Sequence, residues 1–433
     1  MSTTFGLLGI AFALAFMTFA VYKNWSILYS SIIAVIVIVL TNKLDLLTTL
    51  TSTYIDGFAG FAAPNFILFL EGAMLGKLYD VSGAAWRIGS SAVKKFGKRF
   101  ALVAYFLAVF ILEYGGISTF VICFVLLPLA RPIFKETGTP WFLWPAFTLV
   151  PIIGPELMMP GGLQVHNILP TNVLGTTLTA APLMGIFFTI FYSAVCMVYV
   201  GWEIKRSKNV EWKKNSLPPI EDARDDAELE EKAPNVLLAL LPMVASIVLI
   251  NFFDFAPVYG LGISVILSAV LFYNKISRED FLPALNDGAA NGVMPLIMVA
   301  AVVGIAKVVA ATDSFVVVRD AMLSFSSTSK VATGLSVVGI TNVMALICGS
   351  ASGAISMTLE MFHEAWQAAG LTPEWIHRVV TTAAGGFDTV PWNSFIVLML
   401  SLSKLDHKRA YMPIFWVSLV APILTAMLGV LFL

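Results

Sequence analysis

The residues best placed to do chemistry in this chain are carboxyl groups set in apolar surroundings. Glu113 interrupts AVFILEYGGISTFVICFVLL (108–127), and Asp388 lies in GGFDTVPWN (385–393). Glu71, Glu156 and His166 sit in comparably apolar stretches. An ionisable group is costly in such a place and marks a substrate or proton pathway by default. A carboxyl in a low-dielectric site has its pKa raised, so it can take up and release a proton near neutral pH. Glu113 and Asp388 fall within breaks of the apolar pattern and are the candidate proton carriers. Glu71 and Glu156 have an equal claim to hold helices together as neutral or paired acids. His166 either bonds a substrate or satisfies the ends of a broken helix.

The breaks themselves are four: EYGGIST (113–119), GPELMMPGGLQVHN (154–167), GSASG (349–353) and GGFDTVPWN (385–393). A helix interrupted by glycine or proline leaves free N–H groups at one new end and free C=O groups at the other. The first suit a carboxylate and the second a cation. Uncharged polar groups crowd into the same places. The candidate substrate-binding set is Gly115, Gly116, Ser118, Thr119, Gln164, His166, Asn167, Ser350, Ser352, Thr389 and Asn393. None of the four breaks contains Arg, the usual fork for dicarboxylates and phosphate esters. Dipole ends with hydroxyls and amides suffice for one carboxylate, which points to a monocarboxylate. No HExxH or GxxxxGK[ST] motif occurs, and no metal or cofactor is expected. An intramembrane hydrolase using Ser350 or Ser352 with His166 is a remote alternative, because GSASG lacks the strand–turn–helix that a nucleophile elbow requires.

The elements that must position these groups are membrane helices. Of 433 residues, 58% are hydrophobic and 12% charged, with a mean hydropathy of +0.86. A soluble domain carries about 25% charged residues. Uncharged runs long enough to cross a hydrocarbon core of about 30 Å recur throughout, and in lipid such runs form helices. The net charge of −1 argues against nucleic acid. Cys123, Cys196 and Cys348 show no CxxC spacing and read as small buried hydrophobes. No basic segment precedes the first apolar run, so no cleaved signal peptide is expected.

Spanning helices are predicted at about 4–22, 25–41, 63–79, 141–172, 178–202, 235–252, 257–273, 292–311, 374–403 and 410–432. The stretches 100–134 and 330–366 are too long for one crossing and are read as re-entrant hairpins. This arrangement puts 20 of the 26 Lys and Arg on one face. That face is then cytoplasmic and both termini lie outside. The polar segment 203–234 is expected to be a solvated connector between halves. DLLTTLTSTYIDGFAGFAAPN (45–65) aligns with DFLPALNDGAANGVMPL (280–296), and GGLQVHNILPTN from Gly161 with GGFDTVPWNSF from Gly385. The expected fold is therefore all-α and polytopic, built of two repeats. Residues 1–202 hold hairpin 100–134 and broken helix 141–172; residues 235–433 hold hairpin 330–366 and broken helix 374–403. Five crossings plus one hairpin in each half make the repeats inverted.

Four segments carry a family resemblance: EGAMLGKLYDVSGAAWRIGSSAVKKFGKR (71–99), EYGGISTFVICFVLLPLA (113–130), PGGLQVHNILPTNVLGTT (160–177) and GGFDTVPWNS (385–394). They resemble the gluconate:proton symporter (GntP-type permease) family of the ion transporter superfamily, nearest to members described as hydroxybutyrate-type permeases. The resemblance implies import of a small organic acid with protons across a bacterial inner membrane. It also implies a homodimer with scaffold and transport domains working as an elevator, with Ser118, Thr119, Ser350 and Ser352 on the substrate. This chain departs from sugar-acid members around Asp388, where no His precedes it, and at LQVHNILP. Sodium coupling in the same fold is the alternative.

Overall fold

The computed structural model describes residues 3–114, 119–162, 164–218, 232–253, 255–314, 317 and 329–433. Among these the regular structure is entirely helical. In chain order the elements are α1 (Thr3–Tyr22), α2 (Ile27–Asn42), α3 (Leu46–Val81), α4 (Ala84–Tyr114), α5 (Thr119–Thr137) and α6 (Trp141–Met158). There follow α7 (Val165–Leu174), α8 (Pro182–Ser207), the short α9 (Glu211–Lys214), α10 (Val236–Phe252), α11 (Pro257–Leu271) and α12 (Arg278–Ala310). The chain ends with α13 (Lys330–Cys348), α14 (Ala351–Ala368), α15 (Pro373–Ala384), α16 (Ser394–Ser403) and α17 (His407–Phe432). Six of them, α1, α3, α6, α8, α12 and α17, are long and apolar enough to cross a membrane. The other expected crossings are shorter apolar helices, and the stretch at 374–403 is divided into α15 and α16.

Two helices start well before the expected boundaries. α3 begins at Leu46 rather than 63, and α12 at Arg278 rather than 292. In both, a polar entrance turn is capped. The Asp45 carboxylate accepts from Thr48 N–H at 2.7 Å, and Ser277 Oγ accepts from Asp280 N–H at 3.0 Å. Such caps extend a helix through polar residues that a hydropathy window excludes. α3 and α12 pack along most of their length. At Gly292 a Cβ would fall 2.6 Å from the Phe69 carbonyl oxygen, so only glycine permits that approach.

The broken helices form the centre. Every residue of α6 from Trp144 to Ile153 is buried, as is every residue of α15 from Trp375 to Ala384. From Trp144 to Ile153 α6 is apolar but for Thr148, as suits an interior helix, whereas α15 buries His377, Arg378, Thr381 and Thr382 as well. Trp141, Trp144, Phe147, Ile376, Val379 and Val380 belong to the largest core cluster. A second cluster joins α1 and α2 to α12 through Ile10, Met17, Ile38, Ile305 and Val309. Large apolar side chains stay exposed on the outer helices, among them Leu8, Phe12, Leu183, Ile190, Val198, Leu237 and Val270, as a lipid-facing surface requires.

The described part of the connector is partly docked rather than simply solvated. Glu203 is buried and pairs with Lys213. Ser216 accepts from Trp141 N–H through its carbonyl at 2.8 Å and from Phe142 N–H through its hydroxyl at 3.0 Å. The acidic stretch 219–231 lies outside the described residues.

Candidate functional site

Three helix starts, those of α7, α14 and α16, meet around one cavity of about 500 Å³, together with the first described residues of α5. Thr119 and Phe120 come from α5; Gln164, Val165 and His166 open α7; Ser350, Ala351 and Ser352 open α14; Asn393, Ser394 and Phe395 open α16. Also lining it are Leu149, Ile152, Ile153, Glu156 and Leu157 from α6, Gly349 after α13, and Gly385 after α15. The N-termini of α7, α14 and α16 bring partial positive charge to the cavity, and the ends of α13 and α15 bring backbone carbonyls. No Lys or Arg is among its lining residues.

Local chemistry explains two of the breaks. The break between α6 and α7 needs Gly161, whose φ of +83° is left-handed and whose Cβ would sit 2.8 Å from Tyr114 Oη. The Tyr114 hydroxyl donates to the Pro160 carbonyl at 3.2 Å, and Gln164 Nε2 donates to the Glu113 carbonyl at 2.9 Å. The end of α4 is thereby tied to the break. Before the break, Gly154–Met158 is π-helical, a local widening that is frequent at functional sites and that carries Glu156. On the other side Asn393 caps α16: its Oδ1 accepts from Phe395 N–H at 2.8 Å and Ile396 N–H at 3.0 Å. Its Nδ2 donates to Asp388 Oδ1 at 3.1 Å and to the Gly349 carbonyl at 3.4 Å, joining the second break to the α13–α14 tip. Ser350 and Ser352 hydroxyls lie 3.0 Å apart.

The titratable groups form one chain and one separate acid. Thr119 Oγ1 lies 3.1 Å from Glu113 Oε1 and 3.4 Å from Glu156 Oε1. Glu156 Oε1 lies 3.1 Å from His166 Nδ1. A single hydroxyl proton serves only one carboxylate at a time, so Thr119 links the two acids as a shared donor. Glu113 is fully buried, and its Oε2 has no hydrogen-bond partner. Asp388 reaches the cavity from the second break and is held by Asn393.

Of the residues singled out in the sequence, Thr119, Gln164, His166, Ser350, Ser352, Asp388, Thr389 and Asn393 line this cavity. Glu113 stands behind it through Thr119. Gly115, Gly116 and Ser118 lie outside the described residues. Asn167 does not line the cavity. It is buried, its amide donates to the carbonyls of Gly162 and Leu178 at 2.9 Å each, and its Oδ1 accepts from His377 Nε2 at 2.9 Å and Arg378 Nη1 at 3.2 Å. Glu71 is on α3 facing α11, where a Cβ on Gly262 would be 2.7 Å from its Oε1. Glu156, which the sequence left undecided, belongs to the cavity.

Arg378, within the expected crossing 374–403, is fully buried in α15. It donates to the Ala180 carbonyl from Nε at 3.3 Å and from Nη2 at 3.0 Å, and to Asn167. It closes off the backbone that returns from α7 to α8. A fully buried guanidinium requires several acceptors, and a single Arg in this stretch does not announce them in sequence.

Residues 232–432 match the sequence model of the Na+/H+ antiporter family. The chain is 27% identical over 458 residues to the Bacillus subtilis (strain 168) protein described as the uncharacterized transporter YxjC, covering 95% of each. Among solved structures it is similar to the YdaH transporter of Alcanivorax borkumensis, at 18% identity and a TM-score of 0.43 over 89% of this chain and 87% of that one. It is also similar to MtrF of Neisseria gonorrhoeae, described as illuminating a class of antimetabolite efflux pumps, at 15% identity and a TM-score of 0.37 over 88% and 84%. The family match and the membrane-capable helices support a membrane transporter.

Proposed function

We propose that this chain is a secondary active transporter importing a small organic monocarboxylate or hydroxy acid, of 3-hydroxybutyrate or gluconate type, by proton symport. The observation that carries the reading is the convergence of the N-termini of α7, α14 and α16, with hydroxyls and amides, on one cavity without a Lys or Arg. Its volume lies in the usual range for small-molecule sites, about 300–1,000 Å³. N–H ends favour the carboxylate, while Thr119, Gln164, Ser350, Ser352, Thr389 and Asn393 suit the neutral hydroxyls. Glu113, with its bare Oε2 and its link to Glu156, is the proposed proton carrier, and Asp388 is the second.

Repeat architecture fits this reading. Both halves run helix, helix, long proline-containing helix, helix pair, broken helix, helix. Packing is reciprocal, with α2 against α12 and α11 against α3. We read the halves as inverted repeats, with hairpin α4–α5 bordering a cytoplasmic route and α13–α14 an outer one, working as an elevator within a homodimer. The bilayer is taken to be a bacterial inner membrane, with the basic face cytoplasmic and both termini outside.

Uptake into proteoliposomes tests the proposal. Gluconate, glycerate, lactate, 3-hydroxybutyrate and acetoacetate are offered under a pH gradient alone and a Na+ gradient alone. Accumulation of at least one under the pH gradient is expected. Sodium coupling is the second reading, favoured by the description of the matched family and by the carbonyl ends at Gly349 and Gly385. Accumulation driven only by Na+ would establish it and refute the proton assignment.

A further inference from the structure

Glu113, the proposed proton carrier, is fully buried and does not line the cavity. A proton from the cavity therefore has to be handed to it through other groups. Two residues of the cavity wall reach it. Gln164 donates to its backbone carbonyl, but an amide neither takes up nor releases a proton near neutral pH. Thr119 Oγ1, 3.1 Å from Glu113 Oε1, has one proton and two lone pairs, so it can accept as it gives.

Beyond Thr119 the series continues through Glu156, on the widened turn of α6. Glu156 Oε1 lies 3.4 Å from Thr119 Oγ1 and 3.1 Å from His166 Nδ1. The end of α4, α5, α6 and α7 thus place an acid, a hydroxyl, an acid and an imidazole in order. His166 lines the cavity, and imidazole ordinarily exchanges its proton between about pH 5 and 8. One joint stands open. His166 Nδ1 is buried and has no hydrogen-bond partner, although Glu156 Oε1 is so near. The distance suffices and the alignment does not. A turn of the ring closes the joint, and the terminal torsion of histidine is broad. A histidine that only held α7 in place would bond its neighbour rather than stop short of it. The other titratable groups within electrostatic reach are Asp388 beside His166, Cys123 beside Glu113, and Tyr192 beside Glu156.

We infer that His166 is the proton entry of this protein, passing a proton from the cavity through Glu156 and Thr119 to Glu113. The inference deepens the transport reading above and rests on it for Glu113 as the carrier. A cavity proton bonds to Nε2 of the ring, and the Nδ1 proton leaves for the Glu156 carboxylate. The ring returns to neutral as the other tautomer, and Glu156 becomes an acid. That acid gives its proton to Thr119 Oγ1 while the threonine's own proton passes to Glu113 Oε1. One proton has moved, Thr119 is unchanged, and Glu113 is the neutral acid.

The test follows Glu113 by infrared spectroscopy, in the full chain in lipid nanodiscs, after light-triggered release of protons. The band of the protonated Glu113 carboxyl is the one that Glu113→Gln removes. Its rise should be at least about tenfold slower in His166→Gln, which keeps much of the bulk of the ring without a titratable nitrogen. His166→Ala should be as slow and should regain its rate when imidazole is added, a recovery that a merely structural role would not give. Thr119→Val should slow the band likewise, whereas Thr119→Ser should not. A band rising at the unaltered rate in both His166 variants, or in Thr119→Val, would overturn the relay. No such band in the unaltered protein would remove Glu113 as carrier and the relay with it. A band slowed as expected, with no carboxylate taken up by the unaltered protein under either gradient, would instead sink the transport reading and leave the relay standing.

Discussion

Replacing Glu113 by Gln separates proton coupling from substrate passage with little change of shape. The substitution keeps the length of the side chain, and the amide oxygen can still accept from Thr119, as Glu113 Oε1 does at 3.1 Å. The amide nitrogen takes the position of Oε2, which is buried and without a partner. An unsatisfied buried amide costs about 1–3 kcal/mol, so a modest fall in thermal stability is expected rather than loss of the fold. What the amide cannot do is gain and lose a proton. One pH unit of gradient stores about 1.4 kcal/mol per proton, which is a tenfold accumulation. With an imposed gradient of about two units and one proton per substrate, the unaltered protein should approach 100-fold accumulation. The Glu113→Gln protein should stop near equal concentrations inside and out. Exchange of external labelled substrate for internal unlabelled substrate needs no net proton movement and should survive. Both quantities are read in the same proteoliposomes, with reconstituted protein measured by immunoblot. Accumulation at the level of the unaltered protein would refute the reasoning and leave Glu113 a structural acid. Loss of exchange together with accumulation, in correctly reconstituted protein, would equally refute it.

Asn393→Asp should keep the cap on α16, since a carboxylate also accepts from Phe395 and Ile396 N–H, but it sets a second acid against Asp388; thermal stability should exceed that of Asn393→Ala by about 1 kcal/mol while uptake falls in both. Arg378→Lys should destabilise by about 2–3 kcal/mol, read as lower resistance to heat in detergent, because an ammonium cannot span the acceptors at Ala180 and Asn167 that the guanidinium reaches. Gly161→Ala should impair folding more than Gly175→Ala: both have positive φ, but a Cβ at 161 meets Tyr114 Oη at 2.8 Å whereas one at 175 meets nothing within 4 Å. The first should lose uptake and the second should retain most of it; equal behaviour would mean that the Tyr114 contact is unimportant.

Much of this arrangement was legible because membrane helices obey a severe rule. A backbone in lipid must satisfy itself, so a glycine or proline cluster inside an apolar run signals a deliberate interruption. GSASG and GGFDTVPWN were found that way, and Ser350, Ser352, Asp388 and Asn393 do meet at one cavity. Helix starts were less visible. α3 and α12 extend through capped polar turns, and hydropathy does not register a cap. The roles of single polar residues were the least visible. Asn167 and His166 are neighbours in one broken-helix motif, yet one turns toward Arg378 and the other toward Glu156. Adjacent residues on a helix point about 100° apart, so the direction of each depends on which neighbours pack around the turn.

The sequence by itself determined that this chain is a bundle of membrane helices, where those helices break, and that acids and hydroxyls gather at the breaks. Composition and local backbone chemistry are enough for that, because the cost of an unpaired peptide group in lipid is fixed by each segment alone. Only the tertiary structure decided which groups share a space. It gave Glu113 and Glu156 one hydroxyl at Thr119, buried Arg378 on the carbonyl of Ala180, and drew Lys77 of α3, Arg131 of α5 and Lys404 just after α16 around one recess. Those pairings join residues distant in the chain, and their energies depend on distance and burial that no single segment contains.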